Sequence, residues 1–136
     1  MYLNQPLKKY LDEASAKLPA PGGGSVSALC GALGAAMAGM VANFTVGKEK
    51  YKEVEEEVNR ILSQSEALRK RLAELMDADV EAYRKVSTAY RMPKTGDEEK
   101  AQRSRSIQEA CKEALEVPLR TAECCYEILK LSRRLV

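Results

Sequence analysis

Asp79 is the residue whose setting most resembles that of a catalytic group. It falls on a seam of residues that recur at alternating steps of four and three along a charged segment. The seam consists of Val54, Val58, Ile61, Ser65, Leu68, Leu72, Leu75, Asp79, Ala82 and Val86. A carboxylate on a buried seam is costly unless it is hydrogen-bonded, paired or protonated, so it marks function more often than a surface charge does. The periodicity leaves two alternatives open: a functional acid or base, and an aspartate that reaches solvent or an ion-pair partner.

The composition argues against most other kinds of catalytic or metal site. The chain has no histidine, which is the commonest general base. Its four cysteines, Cys30, Cys111, Cys124 and Cys125, show no CxxC spacing. We therefore expect no metal site. Because no cleavable signal pattern begins the chain, we also expect free thiols in a cytoplasmic protein.

Charge gives no sign of a nucleic-acid partner. The 136 residues include 22 lysines and arginines against 20 aspartates and glutamates, and the two signs are interleaved along the chain. Anionic small molecules remain candidate ligands. Among the cations, Lys48, Lys94 and Arg103 could meet such an anion, although each taken alone is better explained as a solvated charge.

A glycine turn is a second feature that could contribute to a binding site. Gly22, Gly23 and Gly24 follow two prolines, and Ser25 is expected to cap the helix that begins after them. The bare N–H groups of such a turn can receive an anion. A purely structural turn explains the same glycines.

The helix that follows the turn is apolar all round, so we expect it to be buried all round at the centre of the fold. One stripe carries large residues and the opposite one carries small residues. The large residues are Val26, Cys30, Leu33, Met37, Met40, Val41 and Phe44. The small residues are Ala28, Gly31, Ala32, Ala35, Ala38, Gly39 and Ala42. The small stripe predicts a close approach by another helix, or by a ligand lying against the backbone.

The same helix is long enough to raise the question of a membrane. No charged residue occurs between Lys17 and Lys48. This uncharged run is longer than the ~20 residues that a helix needs to cross a bilayer. The run is nevertheless dominated by alanine, glycine and serine, contains Asn43 and Thr45, and opens with prolines and glycines. We therefore predict a core helix of a soluble protein with no membrane partner.

The remaining elements complete an all-α antiparallel bundle. A short helix over residues 3–17 has Asn4 as its expected N-cap, a long helix covers residues 54–86, and a loop covers residues 90–96. A last helix starts with three acidic residues, and Pro118 should bend it near Ala114. Its expected apolar face consists of Ile107, Cys111, Leu115, Leu119, Ala122, Tyr126 and Leu129.

Six segments of the chain are similar to one known family. They read PAPGGGSVSAL, MVANFTVGKEKY, DADVEAYRKV, MPK, EEKAQRSRSIQEA and VPL. In this order and spacing they resemble the formiminotransferase-cyclodeaminase and methenyltetrahydrofolate cyclohydrolase family, over nearly the whole chain. The first segment is the most specific of the six.

The resemblance implies an all-helical homodimer that acts on one-carbon folates without a metal and without a cofactor beyond the tetrahydrofolate substrate. It would cyclise 5-formiminotetrahydrofolate with release of ammonia, or hydrolyse the 5,10-methenyl form to 10-formyltetrahydrofolate. The matching motifs assign catalysis to Asp79, where a desolvated carboxylate can serve as acid and base without histidine. They assign substrate binding to Gly22, Gly23, Gly24, Ser25, Asn43, Lys48, Tyr51, Tyr83, Lys94 and Arg103.

The family pattern continues beyond this chain through further helices that carry a Gly-Asn stretch and a Ser-Asp pair. We therefore expect residues 1–136 to form a single helical domain that lacks those C-terminal helices. The alternative to an enzyme is a non-catalytic helical dimerisation or interaction module derived from the same family.

Overall fold

A computed structural model describes residues 1–135 as a bundle of four α-helices. The helices are α1 (Leu7–Ser15), α2 (Gly23–Thr45), α3 (Glu55–Tyr90) and α4 (Asp97–Arg133), with 3-10 turns at Tyr2–Asn4 and Glu49–Val54. No strand occurs within residues 1–135. The all-α prediction is confirmed.

Helices α2 and α3 form the centre of the bundle and run antiparallel. Glycines of α2 lie close to leucines of α3, and the partner numbers fall along α3 as they rise along α2. A Cβ placed on Gly31 would lie 3.2 Å from Leu72, and one placed on Gly39 would lie 3.9 Å from Leu62. The small-residue stripe therefore lets the two backbones approach closely, as the sequence predicts.

The expectation that α2 is buried all round is wrong. Its buried residues are Ser25, Ala28, Ala32, Ala35, Ala38 and Ala42, all of them small. The large residues point away from the bundle, and 58% of Leu33 and 67% of Phe44 are exposed. The reason is geometric: α3 and α4 both pack on the small stripe, and no other helix within residues 1–135 covers the opposite side.

The α2 helix is also the one helix of residues 1–135 whose length and composition would allow it to cross a membrane, with a mean hydropathy of 1.7. Core helices of soluble proteins pass the same test. The absence of a membrane partner stays a prediction.

The long seam of α3 is confirmed along most of its length. Val58, Ile61, Ser65, Leu72 and Leu75 are buried, as are Met76, Val80, Ala82 and Ala89. The first expected position, Val54, is 44% exposed because the chain forms a 3-10 turn there before α3 begins. The long helix is therefore correct in type and starts one residue later than predicted.

Two predicted helix starts are wrong. Helix α1 begins at Leu7 with Pro6 as its N-cap, and Asn4 belongs to the preceding 3-10 turn. Helix α2 begins at Gly23 with Gly22 as its N-cap, so Ser25 lies inside the first turn. Ser25 does not cap the helix, because its side chain donates a hydrogen bond to the carbonyl oxygen of Met76 in α3.

Helix α4 runs through Pro118 as one element, but the face it turns to the core differs from the prediction. The residues it buries are Thr121, Ile128 and Leu131. The predicted apolar face lies outside along its second half, where Leu115, Leu119, Tyr126 and Leu129 are exposed. The predicted face of α4 and the face that it buries are both apolar. Cys125 and Ile128, which the periodicity did not place on the predicted face, pack against the small residues of α2.

Candidate functional site

The Asp79 carboxylate lies against the first turn of α2. The backbone N–H of Ser25 donates a hydrogen bond of 2.9 Å to Asp79 Oδ2. A Cβ placed on Gly24 would lie 2.1 Å from Asp79 Oδ1. Only glycine at position 24 leaves room for the carboxylate, so the third glycine of the turn serves a close approach rather than an unusual backbone angle.

This contact removes the ion pair from the alternatives left open for Asp79, and its role as an acid or base stays a prediction. The residue is partly buried, and within residues 1–135 it forms no ion pair. The N-terminal end of α2 supplies its partner, and the partial positive charge of a helix N-terminus favours a carboxylate there. Asp79 is therefore a seam residue held by main-chain hydrogen bonding.

A buried hydrogen-bond chain lies behind this contact. Ser25 Oγ donates to the carbonyl oxygen of Met76 at 2.8 Å, and the Tyr10 hydroxyl lies 3.0 Å from Ser25 Oγ. Since the serine proton is used by Met76, Tyr10 is the donor to Ser25. Burial raises the pKa of Tyr10, which keeps that proton in place. These hydrogen bonds connect α1, α2 and α3 directly beneath Asp79.

Sequence reasoning missed Tyr10 as part of the site. Tyr10 lies on the expected apolar face of the first helix. The only sign of a polar role was its hydroxyl group, because a buried tyrosine hydroxyl needs a hydrogen-bond partner. Nothing in the periodicity identified Ser25 as that partner.

A cavity of about 590 Å³ opens beside Asp79. It is bounded by the glycine turn, by Asp79 and Tyr83 of α3, and by Ala114 and Pro118 of α4. Its volume falls within the range of small-molecule sites. Of the predicted site residues, the structure brings together Gly22, Gly23, Gly24, Asp79 and Tyr83 around this cavity, with Ser25 directly behind it.

Asn43 lies elsewhere. It borders a second cleft, of about 390 Å³, between α2 and α3, together with Glu66 and Arg69. Along α2, Asn43 is roughly 28 Å from Gly24 at 1.5 Å per residue. Within one chain, Asn43 and the Asp79 cavity are separate places, and the grouping implied by the resemblance does not form.

Lys48 and Tyr51 are exposed on the connection between α2 and α3, near the Asn43 end. Lys94 is exposed in the loop between α3 and α4. None of the three lines the Asp79 cavity.

Arg103 has a structural contact instead of a place in the cavity. Its guanidinium donates to the carbonyl oxygen of Tyr90 at 3.1 Å and lies 5.7 Å from the centre of the Tyr90 ring. Arg103 therefore fastens the start of α4 to the end of α3.

Asp77 provides a contrast with Asp79, as the helical spacing predicts. Its two oxygens accept the N–H groups of Tyr2 at 2.5 Å and of Leu3 at 3.2 Å. It thus anchors the amino-terminal turn on a different side of α3, and it does not border the Asp79 cavity.

Within residues 1–135, no group of three or more His, Cys, Asp and Glu side chains is placed to hold a metal ion. All four cysteines are free thiols. That the reaction needs no metal stays a prediction.

Known proteins resemble this chain along nearly all of its length. The family model described as formiminotransferase-cyclodeaminase matches residues 6–136. A methenyltetrahydrofolate cyclohydrolase of Methylorubrum extorquens is 45% identical over 129 residues, which are 95% of this chain and 62% of that relative. A formimidoyltransferase-cyclodeaminase of Rattus norvegicus is 36% identical over 126 residues, which are 93% of this chain and 23% of that relative.

The fold also matches a solved structure. The formiminotetrahydrofolate cyclodeaminase of Thermotoga maritima superposes with a TM-score of 0.72 at 29% identity, covering all of this chain and 78% of that one. The chain thus spans less than two thirds of the length of the two relatives it matches in sequence. A family match over residues 6–136 and a shared fold lead to one conclusion: the chain belongs to the formiminotransferase-cyclodeaminase family.

Proposed function

We propose that this chain carries the acid/base centre of a one-carbon folate enzyme. Its reaction is either the cyclisation of 5-formiminotetrahydrofolate with release of ammonia or the hydrolysis of 5,10-methenyltetrahydrofolate to 10-formyltetrahydrofolate. The names of the relatives support this reaction class. The observation that carries the proposal is the Asp79 carboxylate, held by the Ser25 N–H at the edge of a cavity of about 590 Å³.

In the hydrolytic reaction, Asp79 moves one proton twice. A water molecule adds to the methenyl carbon and gives its proton to the carboxylate. The bond between that carbon and N5 then breaks, and Asp79 returns the proton to N5. The hydroxyl proton passes to solvent as the carbonyl forms, which leaves the formyl group on N10. In the cyclodeaminase reaction, N10 attacks the carbon of the protonated formimino group and loses its proton to Asp79, which returns it to the amino nitrogen as that nitrogen leaves as ammonia. Both sequences need one carboxylate that accepts and then donates.

The geometry suits a carboxylate that must stay in place while its proton moves. One oxygen of Asp79 accepts from Ser25, and the second lies over the backbone of Gly24. Fixed orientation of an acid/base group reduces the ordering that the transition state requires. In this proposal Gly24 and Ser25 position Asp79, while Gly22, Gly23 and Tyr83 border the folate.

A homodimer forms the second part of the proposal. The large-residue stripe of α2 leaves Leu33, Met37 and Phe44 about half or more exposed, which is unusual for an uncharged helix of this length. A two-fold axis across α2 would set the Asn43 end of one copy beside the glycine turn of the other. Asn43, Lys48 and Tyr51 would then reach a folate in the neighbouring copy, as the resemblance implies. Lys94 and Arg103 are proposed only as contacts for the glutamyl tail.

Light scattering tests the dimer. The wild type should have twice the mass of one chain, and Met37→Lys, in the middle of the stripe, should give a monomer. The matched control is Ser63→Lys, which adds the same charge to the exposed side of α3 and should remain dimeric. A monomeric wild type at micromolar concentration contradicts this part of the proposal.

The second candidate function is a non-catalytic interaction module located, like the enzyme, in the cytoplasm. The observation that favours it is the pair of exposed apolar stripes on α2 and α4. The decay of methenyltetrahydrofolate absorbance separates the two functions. Turnover that depends on Asp79 supports the enzyme, and folded protein without turnover supports the module.

A further inference from the structure

Pro118 interrupts the hydrogen bonding of α4 at the wall of the Asp79 cavity. A helical residue normally donates its N–H to the carbonyl four residues earlier, and proline has no N–H. Pro118 lies inside the continuous helix Asp97–Arg133. The carbonyl oxygen of Ala114 is therefore left without its intrahelical partner.

Ala114 lies on the side of α4 that faces the cavity. Cys111, Ala114, Leu115 and Pro118 all line it, and their spacing of three and four residues defines one helix face. A helical carbonyl is directed along the axis towards the residue four positions later. Because both Ala114 and Pro118 border the cavity, a ligand in it lies next to the residue that carries this oxygen.

We infer that the main-chain carbonyl oxygen of Ala114 is a hydrogen-bond acceptor for an N–H group of the bound folate ring. The inference rests on the proposed function and adds a subsite to it. The cavity supports this choice of chemistry, since its α3 and α4 walls carry Val80, Val86 and Leu115 as apolar surface. The polar groups that Asp79 and Ala114 contribute are an ionisable carboxyl group and a carbonyl that only accepts. These two walls suit a flat heterocycle that carries N–H donors.

The inference predicts opposite effects on stability and on binding. Pro118→Val restores the N–H with similar bulk, and Pro118→Ala restores it with less bulk. Each variant closes the missing hydrogen bond and so occupies the Ala114 oxygen. Both should raise the Tm, because proline is the least favourable residue of a helix interior. Both should weaken tetrahydrofolate binding by a similar factor of about three to ten, the worth of one hydrogen bond.

The test uses calorimetric titration of the whole chain with tetrahydrofolate, together with thermal unfolding. The control is Leu119→Ala, which changes an exposed neighbour and should leave the Kd unchanged. Unchanged Kd in Pro118→Val overturns the inference while the proposed function stands. Weaker binding by Pro118→Ala alone also overturns it, because the loss is then one of packing. A lower Tm in both variants overturns it as well, since Pro118 is then required by the fold. If the wild type binds no tetrahydrofolate, the proposed function itself fails.

Discussion

The two ends of α2 are both uncharged and differ in their surroundings. At the amino-terminal end, the turn meets α3 and α4, and Asp79 accepts the N–H of Ser25. At the other end, Phe44 is exposed and Asn43 borders an open cleft beside the surface ion pair of Glu66 and Arg69. Glycines and alanines occur at both ends, so their presence does not make a site. A site arises where a second helix supplies a carboxylate and a third one closes the space around it.

The strongest test of this difference is Asp79→Asn. General acid/base catalysis contributes about 10²–10⁴-fold, so turnover of methenyltetrahydrofolate should fall by that factor while folate binding is largely retained. Asparagine keeps the shape and the acceptor for Ser25, so folding should be preserved. The matched control, Asp77→Asn, changes the carboxylate that anchors the amino-terminal turn and should retain most activity. Equal turnover in wild type and Asp79→Asn would remove Asp79 from the mechanism.

A second test adds one methyl group to a glycine at each end of α2 and compares the two variants. Gly24→Ala would place a Cβ 2.1 Å from Asp79 Oδ1, so the carboxylate must move. A displacement of about 1 Å can cost roughly 10² in rate, and we expect kcat to fall by that order with the fold retained. Gly39→Ala, where the nearest atom is Leu62 Cδ1 at 3.9 Å, should leave kcat unchanged. Similar kcat values for the two variants would show that the close approach at Gly24 has no catalytic role.

The third test compares two glycines on the side of α2 that faces α4 instead of its two ends. A Cβ on Gly31 would lie 2.6 Å from Cys125 Sγ and 3.2 Å from Leu72, so Gly31→Ala should destabilise the fold by about 1–3 kcal/mol through overpacking. On the more open Gly34, the nearest atom is 4.0 Å away, and Gly34→Ala should stabilise the helix by about 0.5–1 kcal/mol. Urea unfolding of both variants measures the difference. A stabilised Gly31→Ala would contradict close packing on that side.

The smallest expected effect is at the Asn43 end. Arg69 donates hydrogen bonds to Glu66 and lowers the pKa of that carboxyl to about 2. A depressed pKa means that the pair contributes stability above the ordinary value of 4.5 and loses it as the pH falls towards 2. The pair is at the surface, so Glu66→Gln should lower the Tm only slightly at pH 7. The difference from wild type should vanish near pH 2. A difference that persists in acid would assign it to packing rather than charge.

Several features of the site could be predicted from local sequence. Proline fixes one backbone angle and glycine permits angles that other residues avoid, so both interrupt helices. The turn before α2 and the loop before α4 were therefore recognisable. The period of the α3 seam identified both the long helix and the polar position Asp79 within it. Ser25 was found as a residue of interest but with the wrong role, because capping rules consider only the helix that contains the serine.

Other features depend on which surfaces meet, and no local pattern contains that information. Helix α4 carries two apolar stripes, and the shape of the α2 surface selects the one with Cys125 and Ile128. The distance between Asn43 and Asp79 follows from the straight path of α2, whereas motif order along the chain suggested a single site.

The sequence by itself determined the helices, the small-residue contact surface and the candidate acid/base residue, because periodicity, proline and glycine act within a few residues of themselves. Tertiary structure alone decided that Ser25 holds Asp79, that Tyr10 supports Ser25, and that Ala114 borders the same cavity. These contacts join α1, α2, α3 and α4 across gaps of many residues. They exist only once the small stripe of α2 has allowed the helices to come within hydrogen-bonding distance.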